Sequence, residues 1–240
     1  MRRLLMFVPV LLVAGMISVP AFTTPKDNDN GAAKDRAKET EKIHAAEAAL
    51  KASVTAPDKG IPKDLLEKAE CVGVFPDVKK GAFIVGGEGG KGVFTCRKGN
   101  GMSGPAFFKI GGPSIGWQAG VESADLVLLI MNKEGIDKLL TDKFKIGADA
   151  TAAAGPVGRN TQASTDVLMG SQILSWSRTK GLFAGISLEG MVMTQDKEDN
   201  AAIYGKAVEA REVLTTTTLP VPQVAKSFIK TTEQYVRPVS

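Results

Sequence analysis

CVGVFPDVKKGAFIVGGEGGKGVFTCR, residues 71–97, is the stretch whose reading decides the fold. Ahead of Cys71 the chain is rich in Ala, Glu and Lys. From Cys71 onward glycine punctuates short β-branched and aromatic runs, and VGVF, AFIV and GVFTC read as strands. AFIVG and GVFTC then form a hairpin with GEGGKG, 87–92, as its turn. GEGGKG formally matches a dinucleotide fingerprint, but that motif needs a following helix whose N-terminus faces the pyrophosphate. VFTCR follows instead, and Lys91 precedes Gly92 rather than a hydroxyl for magnesium. Nucleotide binding is set aside.

Downstream the same texture continues. In SIGWQAGVE (114–122) and GLFAGISLEGMV (181–192) apolar residues alternate with small or polar ones, so each reads as a strand. VLLIM, 127–131, is apolar on both sides and reads as a buried strand, ended by Asn132 and the short helix KEGIDKLLT. PAFFKI, KIGADATAAA and ILSWS complete the set. Many strand faces carry only Gly, Ala or Ser, which either lets layers pack closely or leaves volume for a ligand. Before the strands, 35–54 place Ile43, Ala46, Leu50 and Val54 along one stripe of an amphipathic helix. That stripe either docks on the domain or inserts at a membrane interface, which makes Ile43, Leu50 and Val54 candidate membrane-helix residues. A second short helix has Pro62 in its first turn, with Leu65, Leu66 and Ala69 facing inward. KAVEAREVL and VPQVAKSFIKTTEQYV read as closing helices. The expected architecture is one α+β domain, a curved antiparallel sheet or partial barrel of about seven or eight strands with N-terminal and C-terminal helices.

The N-terminus is expected to lie outside that domain. Arg2 and Arg3, an apolar run broken by Pro9, and Val19-Pro20-Ala21 read as a signal peptide, 1–21, cleaved after Ala21. The run is about 16 residues, short of the roughly 20 that span a bilayer. Residues 22–36 read as a flexible leader and 37–240 as the single domain, placed in the periplasm or outside the cell. Cleavage removes two of the 30 basic residues and no acid, leaving 28 against 26, so no global nucleic-acid signature remains. Cys71 and Cys96 are the only cysteines, and an even count in an oxidising compartment favours one disulfide. If strands near 71, 82 and 92 formed a simple three-strand meander, the two would be too far apart to bond. The disulfide therefore implies that the Cys71 segment stays out of that meander.

Chemistry is sparse. His44 is the single histidine, which weakens histidine-based triads and zinc sites alike. GPSIG, 112–116, resembles a hydrolase elbow at Ser114, yet a strand is expected after it and no histidine lies downstream. Ser227 and Lys230 have serine–lysine spacing without companion elements. DNDNG lacks the later ligands of a calcium loop, and no acidic, histidine or cysteine grouping has metal-ligand spacing. No catalytic residue, metal or cofactor is expected. One charge cluster stands out: Lys79, Lys80, Lys91, Arg97 and Lys98, with Glu88 as the only acid between 79 and 98. If the hairpin is as read, Lys79 and Lys80 meet Arg97 and Lys98 at its open end, either a solvated surface or a headgroup site.

Long strings in order carry a resemblance: residues 71–97, then GADATAAAGPVGR, ILSWSRTKGLFAGISLEG and AIYGK. From about Ala37 to the C-terminus the chain resembles the bacterial secreted branch of the SYLF-domain family of lipid-binding proteins. The resemblance implies a β-rich lipid-binding module without catalytic residues. Eukaryotic members bind phosphoinositides, tubulate membranes and in some cases bind actin, ligands not expected in a periplasm. The function expected is non-catalytic binding of anionic phospholipid or membrane surface, with no nucleic-acid partner. A periplasmic protein-interaction module is the alternative and a serine hydrolase a distant third.

Overall fold

The structure, a computed structural model, describes residues 27–56, 60–82, 86–114, 120–158, 170–179, 182–216 and 218–236. The expected signal peptide and the middle of SIGWQAGVE, 115–119, lie outside the described residues.

The long helix α1, Asp27–Val54, begins inside the expected leader. Helix α2, Lys63–Lys68, follows with Pro62 at its N-cap. The sheet is built from β1 (Cys71–Ala82), β2 (Gly86–Lys98), β3 (Gly101–Met102), β4 (Ala106–Ser114), β5 (Gly120–Ile130), β6 (Lys143–Lys145), β7 (Ala152–Ala154), β8 (Ile173–Thr179), β9 (Leu182–Gly185) and β10 (Val192–Gln195). Helix α3, Lys133–Leu139, separates β5 from β6, and Asn132 caps it by accepting a hydrogen bond from the Gly135 amide at 3.0 Å. Helices α4 (Lys197–Tyr204), α5 (Ala210–Thr215) and α6 (Lys226–Val236) close the chain.

Along the sheet the order is β6-β10-β4-β2-β1-β5-β8-β7, with β3 beside β2 and β9 beside β8. The fold is thus α+β, a curled half-barrel sheet between N-terminal and C-terminal helices. The pairs are antiparallel except β7 with β8 at one edge, so the sheet is mixed. Both faces are buried. Phe75, Phe94, Phe108, Leu126 and Leu128 fill one side with α3, α5 and β6. Val72, Val74, Val93, Phe107, Val127 and Leu129 fill the other with α1, α2 and α6. This explains VLLIM, whose successive side chains serve two cores.

β1 corrects the reading of residues 71–97. VGVF and Ala82 belong to one strand that pairs with β2 so that Cys71 lies opposite Cys96, while residues 83–85 of AFIV lie outside the described residues. Their sulfurs bond at 2.03 Å. The meander objection fails because the Cys71 segment is itself one arm of the hairpin. GEGGKG is not a turn but part of β2. Gly90 and Gly92 face β1 side chains, a Cβ on Gly92 lying 2.5 Å from Phe75 Cγ, and in β1 a Cβ on Gly73 would lie only 2.3 Å from the Phe94 ring. The space freed holds Phe75, Phe94 and Phe108 edge-to-face across three strands, at 5.8 and 5.2 Å between centroids. Along this stretch the small-residue faces serve close packing.

Pro76 sits mid-strand in β1, where a residue without an amide proton interrupts the ladder. The registers with β2 and β5 both slip around Pro76-Asp77, and Asp77 has φ +54°. This bulge turns Val78 onto the core face that Phe75 occupies, a switch of parity that strict alternation forbids. Two other expected strands divide. GLFAGISLEGMV becomes β9 and β10 in different halves of the sheet, separated by a turn at Gly190 with φ +86°. KIGADATAAA becomes β6 and β7 around Gly147.

Candidate functional site

The hairpin register scatters the basic cluster. Lys79 lies opposite Gly89 and Lys80 opposite Glu88, whereas Arg97 follows Cys96 at the other end. Eight residues of strand, roughly 25 Å, separate the two pairs. The four cations therefore do not converge, because β1 and β2 run the full length between them. Arg97 is a structural residue. Its Nε donates to the Ala69 carbonyl at 2.6 Å and its Nη2 to the carbonyls of Glu67 and Val236, tying the C-terminal ends of α2 and α6 to β2. Lys98 is half-buried, which pulls its pKa down. Nothing is described of the Lys80 side chain.

Lys91 points to the helical side of the sheet and lies directly opposite Lys109 of β4. Like charges facing each other across two strands are unfavourable. Asp196, 1% exposed at the N-cap of α4, resolves the conflict by reaching Lys91 at 2.8 Å and Lys109 at 3.0 Å. Asp199, one turn on, accepts from Lys91 at 2.7 Å. Burial opposes the charge of Lys91, but its two aspartate partners outweigh that and raise its pKa. For Asp196 burial is likewise outweighed by Lys91 and Lys109, and its pKa is lowered. Two backbone links fix α4 on β4: the Asp196 amide donates to Phe107 O at 2.9 Å, and the Phe107 amide donates to Asn200 Oδ1 at 2.8 Å. Glu39 of α1, 6% exposed, completes the cluster. Above it, Lys38, Lys42 and Ala45 of α1 with Pro76 and Asp77 of the bulge line a cleft of about 430 Å³.

The stripe on α1 is spent on docking. Ile43, Ala46 and Leu50 are fully buried against the sheet and α6, and Val54 is half-buried, so the packing is that of a docked helix rather than one offering an apolar face to a membrane. Among the described residues no helix is long and apolar enough to cross a membrane. Ser114 is the last residue of β4, paired with Gly86. His44 is exposed on α1.

A surface that sequence reading missed lies at the sheet end that carries Lys79. Asp77, exposed on the bulge, pairs with Lys79 at 2.7 Å, and its amide donates to Asp125 Oδ1 at 3.1 Å. Asp125 in turn lies 3.9 Å from Arg178 of β8. Next to Arg178 in the ladder, Thr179 pairs with Leu182, which at 73% exposure is the most exposed large apolar side chain among the described residues. Lys79 and Leu182 are three strand spacings apart, about 14 Å. The only sequence signal was an alternation that left Leu182 indistinguishable from a core residue.

A family model described as Ysc84, Las17-binding protein actin regulator, matches residues 111–235. The rat protein named SH3 domain-containing YSC84-like protein 1 is 32% identical over 160 residues, covering 66% of this chain and 47% of the relative. Its Xenopus laevis namesake is 33% identical over 161 residues, covering 66% and 48%. LAS seventeen-binding protein 3 of Saccharomyces cerevisiae is 29% identical over 175 residues, covering 71% and 38%. The chain spans less than half the length of these relatives.

Proposed function

Because the chain belongs to the Ysc84 family of SYLF-domain proteins, we propose that it is a non-catalytic module that binds an anionic membrane surface with the sheet end bearing Lys79, Arg178 and Leu182. The observation that carries this reading is that the exposed Leu182 shares a sheet end, though not a sheet face, with cations held only by exposed or loose ion pairs. Such pairs contribute about 0–1 kcal/mol, so phosphates can replace their carboxylates at little cost. Each cation near an anionic surface then contributes about 1 kcal/mol, and the leucine adds apolar burial at the interface. The Cys71–Cys96 bond supports placement in an oxidising compartment such as the periplasm or cell exterior. The names of the relatives favour a second reading, a protein partner.

Co-sedimentation with vesicles separates the two. Wild type is expected to bind vesicles containing phosphatidylglycerol in preference to pure phosphatidylcholine, less strongly as salt rises to physiological strength. Lys79→Glu with Arg178→Glu should weaken that binding at least tenfold while the far-ultraviolet spectrum is unchanged. A folded double variant that binds as wild type does would remove the site. Wild type bound to neither vesicle would favour the protein partner.

A further inference from the structure

The charge cluster beneath the cleft does not balance. Three carboxyls, Glu39 of α1 and Asp196 and Asp199 of α4, meet two ammonium groups, Lys91 of β2 and Lys109 of β4. Both lysines are taken by the aspartates. Glu39 is left facing Asp199 across the seam between α1 and α4, and its Oε2 has no donor when both acids are ionised. With one proton between them the Glu39 carboxyl donates to Asp199. The other charges facing the seam are Lys38, Glu41 and Lys42 of α1 and Asp77 of the bulge, all at the cleft and closer to solvent. On the same helix Glu47 is buried too, but it accepts from Lys51, Ser227 and Thr231 and needs no proton.

We propose that the Glu39–Asp199 carboxyl pair is a protonation-controlled latch that holds the N-terminal half of α1 on α4 and loosens it when the shared proton is lost. Burial first, and then the Asp199 charge, push Glu39 up to about 7 from an ordinary 4.5, against the pull of Lys91. An acid whose pKa is raised on docking favours the docked helix most below its undocked pKa. That preference is lost as pH rises from about 4.5 to about 7 and is level above. The C-terminal half of α1 stays fixed by Ile43, Leu50 and the Glu47 network, so the response is local.

Hydrogen exchange of the whole protein at pH 5.5 and 8, corrected for intrinsic amide rates, tests the latch. Protection of amides in 33–42 is expected to fall at least tenfold at the higher pH, while amides of β1, β2 and β5 keep theirs. Glu39→Gln supplies a neutral donor to Asp199 and should hold 33–42 at the low-pH level of protection at both values. If Glu39→Gln does not fold, Asp199→Asn, which leaves two carboxyls for two lysines, should likewise remove the pH dependence. Wild-type protection that does not change with pH, a fall shared by the central strands, or a pH dependence that survives in the folded variant would overturn the latch.

Discussion

Gly73 shows how much one absent side chain decides. Its place on a strand was readable, but the ring that fills its space depends on the register that sets it opposite Phe94. With a Cβ at Gly73 the nearest Phe94 atom would be 2.3 Å away, and that ring is wedged between Phe75 and Phe108. Gly73→Ala is therefore expected to destabilise by about 1–3 kcal/mol, as overpacking does. Urea unfolding should show a lower midpoint at an unchanged slope, and an unchanged midpoint would contradict the packing described. The same register explains Cys71 and Cys96. Their pairing followed from counting, whereas their geometry required knowing that Pro76 bends β1 without ending it.

At the scale of elements, α3 was legible because Asn132 is a local cap, and the buried strand β5 because VLLIM is apolar on both faces. α4 was not. Its first turn, Asp196 to Asn200, is polar in sequence, and what buries it is Lys91, Lys109 and Phe107 from strands about 85 to 105 positions earlier. β9 and β10 were read as one strand because alternation continues through the turn at Gly190. Arg97 likewise looked like a surface cation and instead holds two helix ends. Arg97→Ala should leave those carbonyls without their charged donor and cost about 1.5–3 kcal/mol, with the largest loss of exchange protection in α2 and α6. Loss confined to other elements would contradict its role. A charge reversal that included Arg97 would damage the fold and so could not report on membrane binding alone.

For the whole molecule, the family, the mixed class of the fold and the helical ends were legible in long strings and in periodicity. The surface proposed for binding was not, because it is assembled by strand order. Lys79 lies about a hundred positions before Arg178 and Leu182, which are four apart, and it comes to their sheet end only through β1 pairing with β5 and β5 with β8, while β8 pairs with β9. The basic cluster that local sequence offered is instead spread along the hairpin. The most direct measurement of the central claim is an environment-sensitive fluorophore placed at Leu182→Cys and, in a separate variant, at Lys98→Cys on the opposite end of the hairpin. On adding phosphatidylglycerol vesicles, emission from position 182 should shift to the blue while that from position 98 stays put. A blue shift at 98 with none at 182, in variants that still bind the vesicles, would contradict the account.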